Sequence, residues 1–203
     1  MIILGITGGI GCGKSQVLEL FCNKNGVVLC AADAIGRELQ KKNGPAYEKI
    51  VQEFGDTFVK ENGELDRKAL AGFVFENADA LQRLDDIVHP LVEKEVLTRM
   101  QAAHMSRADL FLLESAILLD VGYQSFCDEV WWLKSSPETR LRRLADQRGM
   151  SAEEALRIMD KQRKDEEFEA ACDQIIVNDS SLEELRRKIN GHLKRLGLSK
   201  LEV

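Results

Sequence analysis

The chain opens Met1-Ile2-Ile3-Leu4-Gly5-Ile6-Thr7-Gly8-Gly9-Ile10-Gly11-Cys12-Gly13-Lys14-Ser15, and Gly8, Gly13, Lys14 and Ser15 keep the spacing G-x-x-x-x-G-K-[ST]. The setting constrains the fold as much as the spacing does. Ile2 to Ile6 reads as a buried strand, and from Lys14 a helical pattern places Val17, Leu18 and Phe21 on one face. Glycines let the backbone curl until successive N–H groups point at one anion, and the helix N-terminus adds partial positive charge. Lys14 supplies a mobile cation for outer phosphates, and the Ser15 hydroxyl is a ligand for Mg²⁺. A strand, loop and helix in this order predict a nucleoside triphosphate site. A glycine-rich turn without a ligand is the weaker alternative.

Short apolar runs recur at Val27–Cys30, Leu110–Leu113, Val130–Leu133 and Ile175–Val177, separated by helical patterns. Such runs predict a parallel sheet covered on both faces. From Asp33 to Met105 helical patterns dominate, with expected breaks at Gly44-Pro45, Gly55, Asn62-Gly63 and His89-Pro90. Pro137 opens a charged helix with Ser136 as N-cap, Ser151 starts another, and Ser181 to Leu196 forms a terminal amphipathic helix. With 203 residues, the expected organisation is one P-loop domain over 1–203. Within it lie a helical substrate-binding insertion at 34–105 and a lid region at 140–165.

The net charge of −6 gives no basic field for nucleic acid or an anionic membrane, so an anionic ligand must be held by local cations. Lys14 and the arginines between 140 and 148 are the obvious ones. No stretch approaches the roughly twenty apolar residues of a spanning helix. Five cysteines without C-x-x-C spacing, and no leader pattern, predict a reduced cytoplasmic protein without disulfides or zinc. No Asn-Lys-x-Asp element reads guanine late in the sheet, and the third strand ends at Glu114-Ser115. Short length, the helical insertion and the arginine-dense segment favour a small-molecule kinase over a GTPase or motor ATPase.

The opening loop, Gly63-Glu64-Leu65-Asp66-Arg67-Lys68-Ala69-Leu70, Val74-Phe75, Leu84-Asp85-Asp86-Ile87-Val88-His89-Pro90-Leu91-Val92, Pro137-Glu138-Thr139 with Leu141 and Arg143-Leu144, and Ala171-Cys172-Asp173-Gln174-Ile175-Ile176-Val177-Asn178 resemble, in order, the dephospho-coenzyme A kinases. The resemblance implies an α/β fold of the P-loop kinase type with a five-stranded parallel sheet. It implies transfer of the γ-phosphoryl of ATP to the ribose 3′-hydroxyl of dephospho-coenzyme A, with Mg²⁺. No nucleic acid or membrane partner is expected, and the chain is expected to be a monomer or weak homo-oligomer. It places ATP on Gly8, Gly11, Cys12, Gly13, Lys14, Ser15 and Gln16, and names Arg143 as the nucleotide-contacting arginine. Four positions depart from the family pattern: Ala31 replaces the first carboxylate before Asp33, Asp120 stands for a glutamate, Gln16 for a threonine, and Gln147-Arg148-Gly149 for Arg-Asp-Gly.

Several residues carry two readings. Asp33, just past a strand end, either accepts the proton of the attacking hydroxyl or caps its helix. Arg140 and Arg143 share a helix face and can meet phosphoryl charge, whereas such a charge run is ordinarily solvated. Asn178 either borders adenine or caps the following turn. His89 either shapes a turn before Pro90 or touches substrate, and Glu114 either faces the acceptor or is a buried edge carboxylate. Trp131 and Trp132 read as core, and Cys12 as a small loop residue in place of serine.

Overall fold

The computed structural model describes residues 1–203. Five strands, β1 (Ile2–Thr7), β2 (Val27–Ala31), β3 (Leu110–Glu114), β4 (Glu129–Lys134) and β5 (Gln174–Val177), form one parallel sheet in the order β2-β3-β1-β4-β5. Nine helices accompany them: α1 (Lys14–Phe21), α2 (Ala32–Leu39), α3 (Pro45–Phe54), α4 (Arg67–Glu76), α5 (Ala78–Met105), α6 (Pro137–Arg148), α7 (Ala152–Asp160), α8 (Asp165–Ala171) and α9 (Leu182–Arg195). The chain divides into two compact units, one of Met1–Cys30 with Ala103–Val203 and one of Ala31–Ala102.

In the first unit β1 is central, in register with β3 (Leu4 opposite Leu112) and with β4 (Ile6 opposite Trp131). Alternation along the strands sends Leu4, Ile6, Leu110, Leu112, Trp131, Leu133 and Ile176 to one face. There they pack against Val17 and Phe21 of α1 and Leu185, Ile189 and Leu193 of α9. Trp132 points the other way and stacks on Phe168 of α8 with ring centroids 5.1 Å apart. Both tryptophans are core, as the sequence predicts. Carboxylates close the N-terminal edge of the sheet. Asp128 accepts from Ile3 N (2.7 Å), Asp173 accepts from Val130 N (2.8 Å), and buried Glu129 accepts from Trp131 Nε1 and from Arg195. Burial and the neighbouring Asp128 and Asp173 charges push the Cys127 thiol up to about 12, and burial with Asp173 pushes Cys172 to about 11.

The second unit packs Ala46, Ile50, Leu65, Leu70, Val74 and Ala80 into its own core, beside a cluster of Phe54, Phe58 and Phe73. The expected breaks at Gly44-Pro45, Gly55 and Asn62-Gly63 all separate elements, but the break at His89-Pro90 does not occur. Helix α5 runs through Pro90 without interruption. Proline removes one i→i−4 bond and strains the preceding turn, yet the apolar residues Leu84, Ile87, Val88 and Leu91 on either side pack against the unit's core and hold the helix together. His89 Nε2 lies 3.4 Å from Asp85 Oδ1, one turn earlier on the same helix, so its surroundings are helical rather than a turn.

Candidate active site

The loop between β1 and α1 lies at the C-terminal end of the central strand, the position where ligands gather in open α/β sheets. Gly8, Gly11 and Gly13 have φ of 147°, 79° and 93°, which L side chains rarely adopt. At Gly13 a Cβ would also run into Asn178 Nδ2. Gly13 is the residue before α1 and offers no side chain to cap it, so no side chain takes up the first-turn N–H groups of that helix. Lys14 Nζ donates to the carbonyls of Gly8 (2.8 Å) and Gly9 (3.4 Å), folding the cation back over the loop. Ser15 is exposed, the second residue of α1. Cys12 is buried, consistent with a small loop residue rather than a reactive thiol.

A polar scaffold holds this loop from outside. Asn178, buried at the end of β5, donates from Nδ2 to Cys12 O (2.9 Å) and to Gln16 Oε1 (3.4 Å). Its own carbonyl accepts from Ser135 Oγ (2.8 Å) and Arg143 Nη2 (2.9 Å). Arg143 also points Nη1 at Ser135 Oγ (3.1 Å) and at the carbonyls of Cys12 and Gly11 (3.3 and 3.4 Å). Arg140 Nε donates to Ile10 O (2.7 Å). Both arginines of the shared α6 face therefore meet the loop, whereas Arg142 and Arg148 are exposed. The Asn178 side chain braces the loop and does not cap the turn that follows it; Asp179 instead accepts from Ser136 N (2.8 Å).

Lys14, Ser15, Gln16, Arg143 and Asn178 thus converge within the first unit. Asp33 belongs to the second, in the first turn of α2 directly after β2. The residue that caps α2 is Ala31, so the capping alternative for Asp33 fails on position alone. Glu114 ends β3 buried, in register with Ile6. Three participants, Ser135, Gln162 and Arg163, were not visible in the sequence. Ser135 and Gln162 are uncharged residues outside any motif, and the Asp120–Arg163 ion pair (2.6 Å) joins positions 43 apart. The only sequence signal for that pair was the acid retained at 120.

The profile of the dephospho-CoA kinase family matches residues 2–184. The chain belongs to that family. Dephospho-CoA kinase of Corynebacterium glutamicum is 35% identical over 92% of this chain and 95% of its own length, and that of Streptococcus mutans 30% over 96% and 97%. Among solved structures, TT1252 from Thermus thermophilus is similar at TM-score 0.79 with 32% identity, covering 96% of this chain and 97% of that one. Dephospho-CoA kinase from Campylobacter jejuni follows at 0.67 and 27%, covering 96% of each. A shikimate kinase from Bacteroides thetaiotaomicron, at 0.55 and 13%, shares the P-loop kinase fold. The reaction of a dephospho-CoA kinase is phosphorylation of a ribose 3′-hydroxyl, the final step of coenzyme A synthesis. No helix of the chain is long and apolar enough to cross a membrane.

Proposed function

We propose that the family reaction runs here with the phosphate loop as electrostatic clamp and Asp33 as general base. The observation that carries the reading is Lys14 Nζ resting on the Gly8 and Gly9 carbonyls. Those are weak partners for an ammonium, and a triphosphate offers stronger ones at the same place. The 3′-oxygen of dephospho-coenzyme A attacks the γ-phosphorus of ATP, the bond to the β,γ-bridging oxygen breaks, and ADP leaves. Charge gathers on the equatorial and leaving oxygens. Lys14 and the first-turn amides of α1 stabilise it, and Arg143 adds its field from the loop's rim, where its guanidinium is already anchored. Asp33 takes the hydroxyl proton. Mg²⁺ would be held by Ser15, where it would neutralise phosphate charge. The helical segment 34–105 takes the acceptor, and 140–165 serves as the lid that keeps water out. An odd number of cysteines without C-x-x-C spacing supports a reduced, cytoplasmic setting, and the chain works on small molecules as a monomer or weak homo-oligomer.

The test is Asp33→Asn assayed with dephospho-coenzyme A across a Mg²⁺ series. As general base, Asp33 is worth roughly 10² to 10⁴ in kcat with ATP affinity little changed. A near-normal rate rejects the assignment, and rescue at high Mg²⁺ moves Asp33 to the metal's shell.

A further inference from the structure

One side chain from the segment between α7 and α8 reaches the phosphate loop. Gln162 Oε1 accepts from Ile10 N (3.1 Å) and from Arg140 Nη2 (2.6 Å), while Arg140 Nε donates to Ile10 O (2.7 Å). The three bonds close a ring in which both backbone polar groups of Ile10 are occupied, one by each partner. The fork of the guanidinium is what permits this, because Nε and a terminal nitrogen face two acceptors at once. Gly9 makes room for it. A Cβ there would overlap the Arg140 guanidinium and lie 2.7 Å from Gln162 Oε1. The next residue, Arg163, is tied to Asp120 in the segment after β3 (2.6 Å), so the α7–α8 junction is tethered on two sides.

We propose that Arg140 and Gln162 are positioning residues that latch the α7–α8 junction onto the phosphate loop, so that lid closure and loop shape are one event. Neither residue is needed to touch the reacting atoms. Ile10 lies between the glycines that set the curl of the loop, and pinning its peptide fixes how the following amides are presented. The junction, held by the same bonds, cannot lift without releasing Ile10. The proposal rests on the kinase mechanism above for its consequence, although the latch itself is measurable without turnover.

The experiment pairs hydrogen exchange with steady-state kinetics on Arg140→Met, Gln162→Leu, their double variant and Gln162→Glu. In the nucleotide-free chain, exchange at the Ile10 amide should rise about tenfold in both single apolar variants, the loss expected of one hydrogen bond. Gln162→Glu keeps both acceptor roles and should stay near wild type. With both substrates, KM for ATP should rise and more ATP should be hydrolysed per coenzyme A formed, since an unlatched lid admits water. The double variant should go no further than either single one, because both break one ring. Unchanged Ile10 exchange overturns the latch. Faster exchange with KM and the hydrolysis ratio unmoved overturns the positioning role, as does an additive double variant. A variant that merely folds poorly lowers kcat in proportion to active enzyme and leaves both ratios alone. Inactivity of the wild-type chain toward dephospho-coenzyme A would strike the kinase reading and leave the exchange result standing.

Discussion

Replacing Asn178 with leucine, similar in size but unable to donate, separates the roles open to this residue. The side chain makes one good bond, to Cys12 O at 2.9 Å, and one marginal bond to Gln16 at 3.4 Å. Cys12 O would keep two longer contacts, from Arg143 Nη1 at 3.3 Å and Ser135 Oγ at 3.4 Å, so it would not be orphaned. The bonds to the Asn178 carbonyl involve backbone and survive. One lost bond, with partial compensation at a buried carbonyl, costs about 1–2 kcal/mol. For a chain of this size each kcal/mol moves Tm by about 2–4 °C, giving a fall of about 2–8 °C. The loop would also lose its direct side-chain tie to the end of β5, keeping the longer link through Arg143, and ATP affinity should fall about tenfold, equivalent to about 1.4 kcal/mol. Thermal melts with and without Mg·ATP, alongside calorimetric titration, read both quantities. An unchanged Tm with lost ATP affinity would mean that Asn178 contacts the nucleotide and does not brace the loop. If neither changes, the scaffold described here is wrong.

Lys14→Ala should retain the fold by circular dichroism while kcat drops a hundredfold or more, the usual loss for a preorganised charge at a transition state; more than about a tenth of wild-type turnover refutes the clamp. Thr7→Val should raise Tm by about 2–4 °C, because the buried Thr7 hydroxyl has no hydrogen-bond partner and removing it relieves about 1 kcal/mol. A fall of the same size in a melting curve would show that the hydroxyl is bonded.

The strands and the phosphate loop were legible because each carries a local signal: apolar runs of strand length, glycines at fixed offsets, and a lysine placed by the same spacing. The caps at Ser136 and Ser151 were readable for the same reason, and each accepts from the backbone N–H three residues on; Ser181, expected as the first residue of its helix, caps it in the same way. Pro90 carries a local helix-breaking signal that the packing of α5 around it overrides. For Asn178, the sequence placed the residue but not the direction of its amide, which depends on a carbonyl 166 positions away. Gln162 had no local signal at all. Its role exists only because α6 delivers Arg140 to the same atom.

The aspartates at the start of the strands have a consequence for how the sheet finds its alignment. Antiparallel neighbours are staggered by the turn that joins them, but parallel neighbours have long crossovers that leave the offset free. Here Asp128, one residue before β4, grips Ile3 of β1, and Asp173, one residue before β5, grips Val130 of β4. Each carboxylate does for its pair what a hairpin does elsewhere. It marks a zero point from which the remaining rungs count, and a slip by one residue would turn Trp131 outward and Trp132 into its place.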